Sequence, residues 1–337
     1  MTVVVNPFVG QGFTLAEMTE AIQLLPAPKG RIGELGLFRP EPIAHRNVIL
    51  ESVEGELRLL PAVTPGAPAT VAGRDSRKLR SFVVPHIPHD DVLLPEEVQG
   101  IRAFGKQEAD PVAQVLTRKL ARMRAKHAQT LEYMRTKALS GVLKDGAGNT
   151  LYDWHAEFGI DKASVDFKLG DASGDVMKAA IQVARHIEEH LSGETMSGIY
   201  ALVSPEFFDR LIAHKSVKEA YAFYAATNPL RDDVRRGFRF GPIVFEEYAG
   251  AATLANGQTD RFIAQGEGIA FPLGTSNTFA TYFAPANLLE TVNTLGEELY
   301  ARQVPRADGR GIDILTESNP LPIVKRPALT VRLFSSN

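Results

Sequence analysis

The chain has 337 residues, 44% of them hydrophobic, with 37 Lys and Arg against 40 Asp and Glu and a formal net charge of -3. The length admits two domains, or one large core with extensions, and the near balance of charge excludes a global drive toward nucleic acid or an anionic membrane. There is no cysteine, which excludes thiolate metal sites, thiol catalysis and disulfides.

Residues 1–35 mix apolar and polar residues without a persistent period, and PAPKGRIG interrupts them with proline and glycine. This predicts an extended arm. The opening MTVVVNPFVGQGF lacks the basic start of a signal peptide, which points to folding inside the cell, and no apolar run approaches the ~20 residues of a membrane span. NVILESVEGELRLLPAV (47–63) and KLRSFVVPHI (78–87) alternate like strands and flank TPGAPATVAGRDS, which has little to bury. A long two-stranded projection fits, and such a ribbon is marginal in water unless it lies on something. Arm and ribbon are therefore expected to find burial on sister copies.

The clearest helix follows. Asp110 suits its cap, Pro111 its first turn, and Val112, Leu116, Leu120, Met123, His127, Leu131, Met134, Ala138 and Val142 form one stripe. A continuous helix over 111–143 would extend ~50 Å at 1.5 Å per residue and act as a spine. It carries Arg118, Lys119, Arg122, Arg124, Lys126, Arg135 and Lys137 against Glu132 alone. Either this is a solvated face that pairs with acidic neighbours, or Arg118, Arg122 and Lys126 face a packaged polyanion in a sequence-blind, salt-sensitive way. KDGAGNTLYDWHAEF reads as a turn and a strand bearing Tyr152, Trp154 and Phe158. A second helix covers about 174–191, and GIYALVSPEFFDRLIAH gives a strand over 199–203, then a helix capped by Ser204 with Pro205 in its first turn. The remainder alternates strands and loops. The class is α+β.

Two clusters resemble metal sites. ARHIEEHLSG (184–193) contains H-x-x-E-H, the spacing of inverted zinc peptidases. At 100° per residue, however, His190 and His186 sit about 60° and about 100° from the buried centre at Ile187, and no third ligand is recognisable. VVPHIPHDD offers His86, His89, Asp90 and Asp91, but residues three apart on an extended chain point to opposite faces, which predicts a solvated strand end. His127 reads as a packed histidine with one hydrogen bond. GEGIAFPLG lacks a phosphate-binding fingerprint. No catalytic residue, metal or cofactor is assigned, and the chain is expected not to be an enzyme.

Arm, ribbon, basic spine and α+β body, with LSGVLKDGAGNTLYDWHAEFGI, GIYALVSPEFFDRLIAHKSVKEAY, FRFGPIVFEEYAG and TFATYFAPANLLETVNTLGEELYARQ in that order, resemble the major capsid proteins of tailed phages. The resemblance is closest to the lambda-type major head proteins, family E, and covers nearly the whole chain. It implies the Hong Kong 97-like capsid fold: residues 1–35 as N-arm, 36–92 as E-loop hairpin, 93–171 as peripheral domain with its spine over 111–143, 172–275 as axial domain, and 276–337 as returning strands. It further implies hexamers and pentamers of this chain closing an icosahedral shell around double-stranded DNA. The partners would be a portal protein, a scaffolding protein during assembly in the host cytoplasm, and a decoration or cement protein on the virion. A fused scaffold segment looks absent. Arg77, Lys78 and Arg80 on the hairpin are the candidate intersubunit contacts. A nanocompartment shell and, remotely, a zinc hydrolase using the HIEEH helix are the alternatives.

Overall fold

The computed structural model describes residues 14–28, 30–54, 76–97, 112–225 and 233–336. Thr14 opens helix α1 (Leu15–Leu24) with a capping box: its hydroxyl accepts from Glu17 N–H, and the Glu17 carboxylate accepts from Thr14 N–H. A short turn, α2 (Arg31–Glu34), follows, and then strand β1 (Arg39–Pro42). Strands β2 (Asn47–Glu54) and β3 (Ser76–Val83) form the two-stranded ribbon, and β4 (Ile87–Leu93) continues beyond Pro85.

Helix α3 runs over Val112–Leu139. It ends before the predicted residue 143 because Gly141 takes a left-handed backbone (φ 97°), and Val142 and Leu143 turn into β5 (Val142–Lys144). β5 pairs with β6 (Thr150–Asp153). The predicted strand then stops early. Asp153 accepts from His155 N–H and Ala156 N–H and starts α4 (Trp154–Phe158), so Trp154 and Phe158 are helical.

The chain continues through β7 (Ser164–Asp166), α5 (Val176–His190), β8 (Gly198–Val203), α6 (Pro205–Ala213) and α7 (Lys215–Ala225). Next come β9 (Phe238–Phe240), β10 (Ile243–Glu247), β11 (Ala251–Thr253), β12 (Thr259–Arg261), β13 (Glu267–Leu273) and β14 (Phe279–Phe283). The last strands are β15 (Tyr300–Pro305), β16 (Ile312–Ser318), β17 (Pro320–Val324) and β18 (Val331–Phe334).

Two compact units share these elements. One comprises residues 1–48, 83–132 and 281–321; the other comprises 49–82, 133–280 and 322–337. The second holds a sheet in the order β7-β18-β13-β8-β10-β9, with β8 parallel to β10 and antiparallel to β13. β8 reads GIYALV because both its faces are covered, and a strand buried on both sides needs a continuous apolar run. Val176, Ala180, Val183 and Ile187 of α5 and Phe207, Phe208 and Leu211 of α6 join its core, and the predicted Ser204 cap with Pro205 behind it is present.

In the other unit, the antiparallel sheet β15-β16-β4 packs against α1 and the first turns of α3. Met18 and Ile22 are buried there at 2% and 0% exposure, and Ile32 is also buried. An extended arm over 1–35 is thus incorrect for its described part: the spacing of Met18 and Ile22 makes an amphipathic helix that buries its face within its own unit. Residues 1–13 of that arm, the ribbon tip at 55–75 and the predicted helix start at Asp110 and Pro111 lie outside the described residues.

Candidate functional site

The exposed stripe of α3 is basic. Arg118, Arg122 and Lys126 recur every four residues and all three are exposed, so they stand in one line along the helix. Other basic residues of this helix are engaged structurally. Lys119 Nζ lies 2.8 Å from a Glu97 oxygen and 3.3 Å from Asp91, and the Arg124 guanidinium donates to Ile22 C=O. Burial opposes the Lys119 charge, but its two carboxylates prevail and raise its pKa. Lys137, in the other unit, lies 3.0 Å from Asp260. The helix therefore carries cations held in scaffolding pairs and, apart from them, an exposed row.

At the root of the row sits a histidine pair. His127 is buried, its Nε2 is 3.0 Å from Thr316 Oγ1, and its ring centroid is 6.1 Å from that of His89. Burial first, then the neighbouring His89 and Lys126, hold its pKa down to about 4. This is the packed histidine the stripe predicts. Lys126 Nζ approaches His89 Nε2 at 3.1 Å.

The stretch His86 to Asp91 is a partly solvated strand entrance, with His86 and Asp90 exposed and His89 and Asp91 half-buried. It enters β4, the edge strand of a sheet, where His89 stands opposite Thr316. His86 Nδ1 lies 3.0 Å from Glu317 Oε1, whereas Asp91 turns to Lys119. The pleat separates these groups, as the spacing predicts.

The HIEEH helix places His186 half-buried and His190 exposed, on the shoulder of its apolar face. His186 Nε2 is 3.0 Å from Ala328 C=O and His190 Nδ1 is 2.7 Å from His186 C=O, so both nitrogens are committed to carbonyl oxygens. A carbonyl demands an N–H, which leaves the lone pair on the other ring nitrogen of each histidine, so what the helix lacks is further ligands. Among the described residues no group of three or more His, Cys, Asp or Glu could hold a metal ion. No described helix is long and apolar enough to cross a membrane.

On the ribbon, Arg80 is tied down within its own unit. Its guanidinium donates to Phe158 C=O at 3.3 Å and lies 5.0 Å from the Phe158 ring centroid. The same aromatic group seats Phe82, 1% exposed, edge-on to Tyr152 and Trp154 at 5.4 and 5.5 Å. Arg80 therefore serves as an anchor of the ribbon root. Arg77 and Lys78 belong to β3, but their side chains lie outside the described residues.

One surface was not anticipated. Leu289, Val292 and Leu295, on the loop between β14 and β15, are 93%, 63% and 62% exposed. In NLLETVNTL, Leu288, Val292 and Leu295 recur in steps of four and three, a helical spacing that is the available signal, and the structure forms only a 3-10 turn over Leu289–Thr291.

The phage major capsid protein E family matches residues 14–335. The major capsid protein of Pseudomonas phage KPP10 is 35% identical over 344 residues, covering 97% of this chain and 98% of that one. That of Salmonella phage Felix O1 is 28% identical over 359 residues, 95% of each. Among solved structures, the capsid of Ralstonia phage GP4 superposes with a TM-score of 0.54 at 10% identity, covering 100% of this chain and 98% of that one.

Proposed function

The chain belongs to the phage major capsid protein E family, has the Hong Kong 97-like fold and forms the shell of a phage head; from that premise we propose that it closes as hexamers and pentamers into an icosahedral container for double-stranded DNA. It is a structural protein of the virion rather than an enzyme. The near full-length family match over 14–335 carries this reading.

Shell growth requires contacts weak enough to correct during assembly and numerous enough to resist internal pressure together, which repetition of one interface provides. The ribbon β2–β3 acts as the E-loop that reaches a neighbouring copy. In this reading residues 93–171 serve as the peripheral domain, 172–275 as the axial domain and 276–337 as the returning strands. Arg77 and Lys78 contribute to that contact. The solvated row Arg118, Arg122 and Lys126 lines the DNA side, neutralising phosphates without reading bases. A portal at one vertex, a scaffolding protein during assembly and a decoration protein on the finished shell complete the set of partners.

Negative-stain microscopy of the purified chain tests the reading. Capsomers, tubes or closed shells are expected, and a monodisperse monomer under all assembly conditions would count against it.

A further inference from the structure

The loop after β14 is held rigidly while presenting apolar side chains to solvent. Its base is fixed by hydrogen bonds: Thr291 Oγ1 donates to Ala286 C=O at 2.6 Å, Tyr300 Oη to Leu295 C=O at 3.2 Å, and Gly296 N–H to Ile43 C=O at 2.9 Å. A Cβ on Gly296 would meet Phe283 C=O at 2.1 Å, so this close approach requires glycine. Thr291 faces inward at 4% exposure, whereas Leu289, Val292 and Leu295 face out. Ordered, contiguous exposed apolar groups mark a docking surface, because a loop with no partner would gain nothing by holding them in water.

The rim of this surface is acidic. Glu297 and Glu298 are exposed, and Glu290 makes only a long contact of 3.5 Å with Arg302. Gln23 donates to Glu297 and to Leu299 C=O, which brings the end of α1 beside the rim. Leu24, the last residue of that helix, is 79% exposed.

The ribbon has the complementary character. Val48 and Phe82 point inward at 4% and 1% exposure, so the pleat turns Ile49 and Leu79 outward, at 66% and 70%. The strand sequence SRKLRS is basic around Leu79, and Arg77 shares its alternation along the strand. An apolar face in a basic stretch of sequence thus complements an apolar loop with an acidic rim.

We propose that the 288–298 loop of one copy is the receptor for the outward face of the β2–β3 ribbon of another copy, with Ile49 and Leu79 seated on Leu289, Val292 and Leu295 and the ribbon cations on Glu297 and Glu298. The inference rests on the shell-forming reading and names its acceptor surface. Buried together, these side chains leave water in the assembled state alone, so the contact favours association without stabilising the single chain.

The absence of native cysteine allows a direct test with single-cysteine full-length chains. Copies carrying Leu79→Cys or Ile49→Cys are co-assembled with differently tagged copies carrying Leu289→Cys, Val292→Cys or Leu295→Cys, and then oxidised. A disulfide between the two kinds of copy, abundant in shells and absent from unassembled chain, is expected for at least one pairing. Shells without any such cross-link would overturn the proposal, whereas failure of the unsubstituted chain to make shells would instead sink the shell-forming reading.

Leu289→Ser with Val292→Ser should reduce shell yield at least tenfold with little change in the thermal midpoint of the unassembled chain. Reversal at Glu297→Lys and Glu298→Lys should do the same and be rescued by Arg77→Glu and Lys78→Glu. Normal shell yield from the serine variant, including the case in which only binding of a separate surface protein is lost, would overturn it.

Discussion

The two units hold their chain by different means. Around the six-stranded sheet, Phe167, Phe207 and Phe245 meet edge-on among aliphatic side chains from helices and strands, and β8 is covered on both faces. Around β15-β16-β4 the described cluster is aliphatic, with Met18, Ile22, Leu120 and Met123. It is pinned by buried polar groups: His127 on Thr316, Asn319 donating to Pro285 C=O at 2.8 Å, and Glu132 accepting from Ile32 N–H at 2.7 Å and Gly33 N–H at 3.2 Å. The same unit leaves Leu24, Leu289, Val292 and Leu295 outside. The lesson is that a layer fixed by directional bonds can keep a defined shape while leaving apolar side chains at its surface.

The sharpest way to break this contrast is to hollow the larger core. Phe245→Ala should remove about 5 kcal/mol by losing both transfer energy and edge-on contacts, read as a large fall in the denaturant midpoint of the unassembled chain. A loss below 1 kcal/mol would mean that the six-stranded core is not the stabilising centre.

Acid should act on the other unit. His127 is held to about 4 against an ordinary value of 6.5, so below about pH 6.5 the unfolded chain binds a proton that the folded chain refuses. Stability is then fully present at neutral pH, declines as pH falls through that window and reaches its full loss near pH 4, on the order of 3 kcal/mol. His89, also shifted down chiefly by burial, and Lys126 are the charged neighbours that add to the effect. Urea midpoints at pH 7 and pH 4.5 should differ in the native chain and much less in His127→Gln, and equal pH dependence in both would refute the assignment.

A smaller effect probes the polar pins. In Gly30→Ala the added Cβ would meet Glu132 Cδ at 2.1 Å, displacing the carboxylate that serves Ile32 and Gly33. The cost should be about 2 kcal/mol, measurable as a lower thermal midpoint. Least of all, Arg118→Gln with Arg122→Gln and Lys126→Gln should change stability by no more than about 0.5 kcal/mol, because the row is solvated. The salt dependence of DNA binding and the genome content of shells should nevertheless fall. Unchanged DNA content would remove the row from the DNA side.

Much of this architecture was legible in advance. The apolar run of β8, the Ser204 cap before Pro205 and the stripe of α3 each follow from spacing over fewer than thirty residues, and all three are present. The capping box Thr14 to Glu17 was equally local, yet the prolines and glycine of PAPKGRIG drew the reading toward an arm and hid a helix. Arg80 illustrates the opposite limit. As a basic residue on a ribbon it suggested a neighbour, and only the position of Phe158, seventy-eight residues further on, turned it inward.

By itself the sequence determined the element types, the α+β class and the absence of thiol chemistry, because periodicity, caps and composition act within a few turns of chain. Tertiary structure alone decided which carboxylates Lys119 and Lys137 meet, that His186 bonds to Ala328 C=O, and that Leu289, Val292 and Leu295 stand in water. Those outcomes depend on groups distant along the chain, such as His186 and Ala328, where burial and hydrogen-bond geometry set the result.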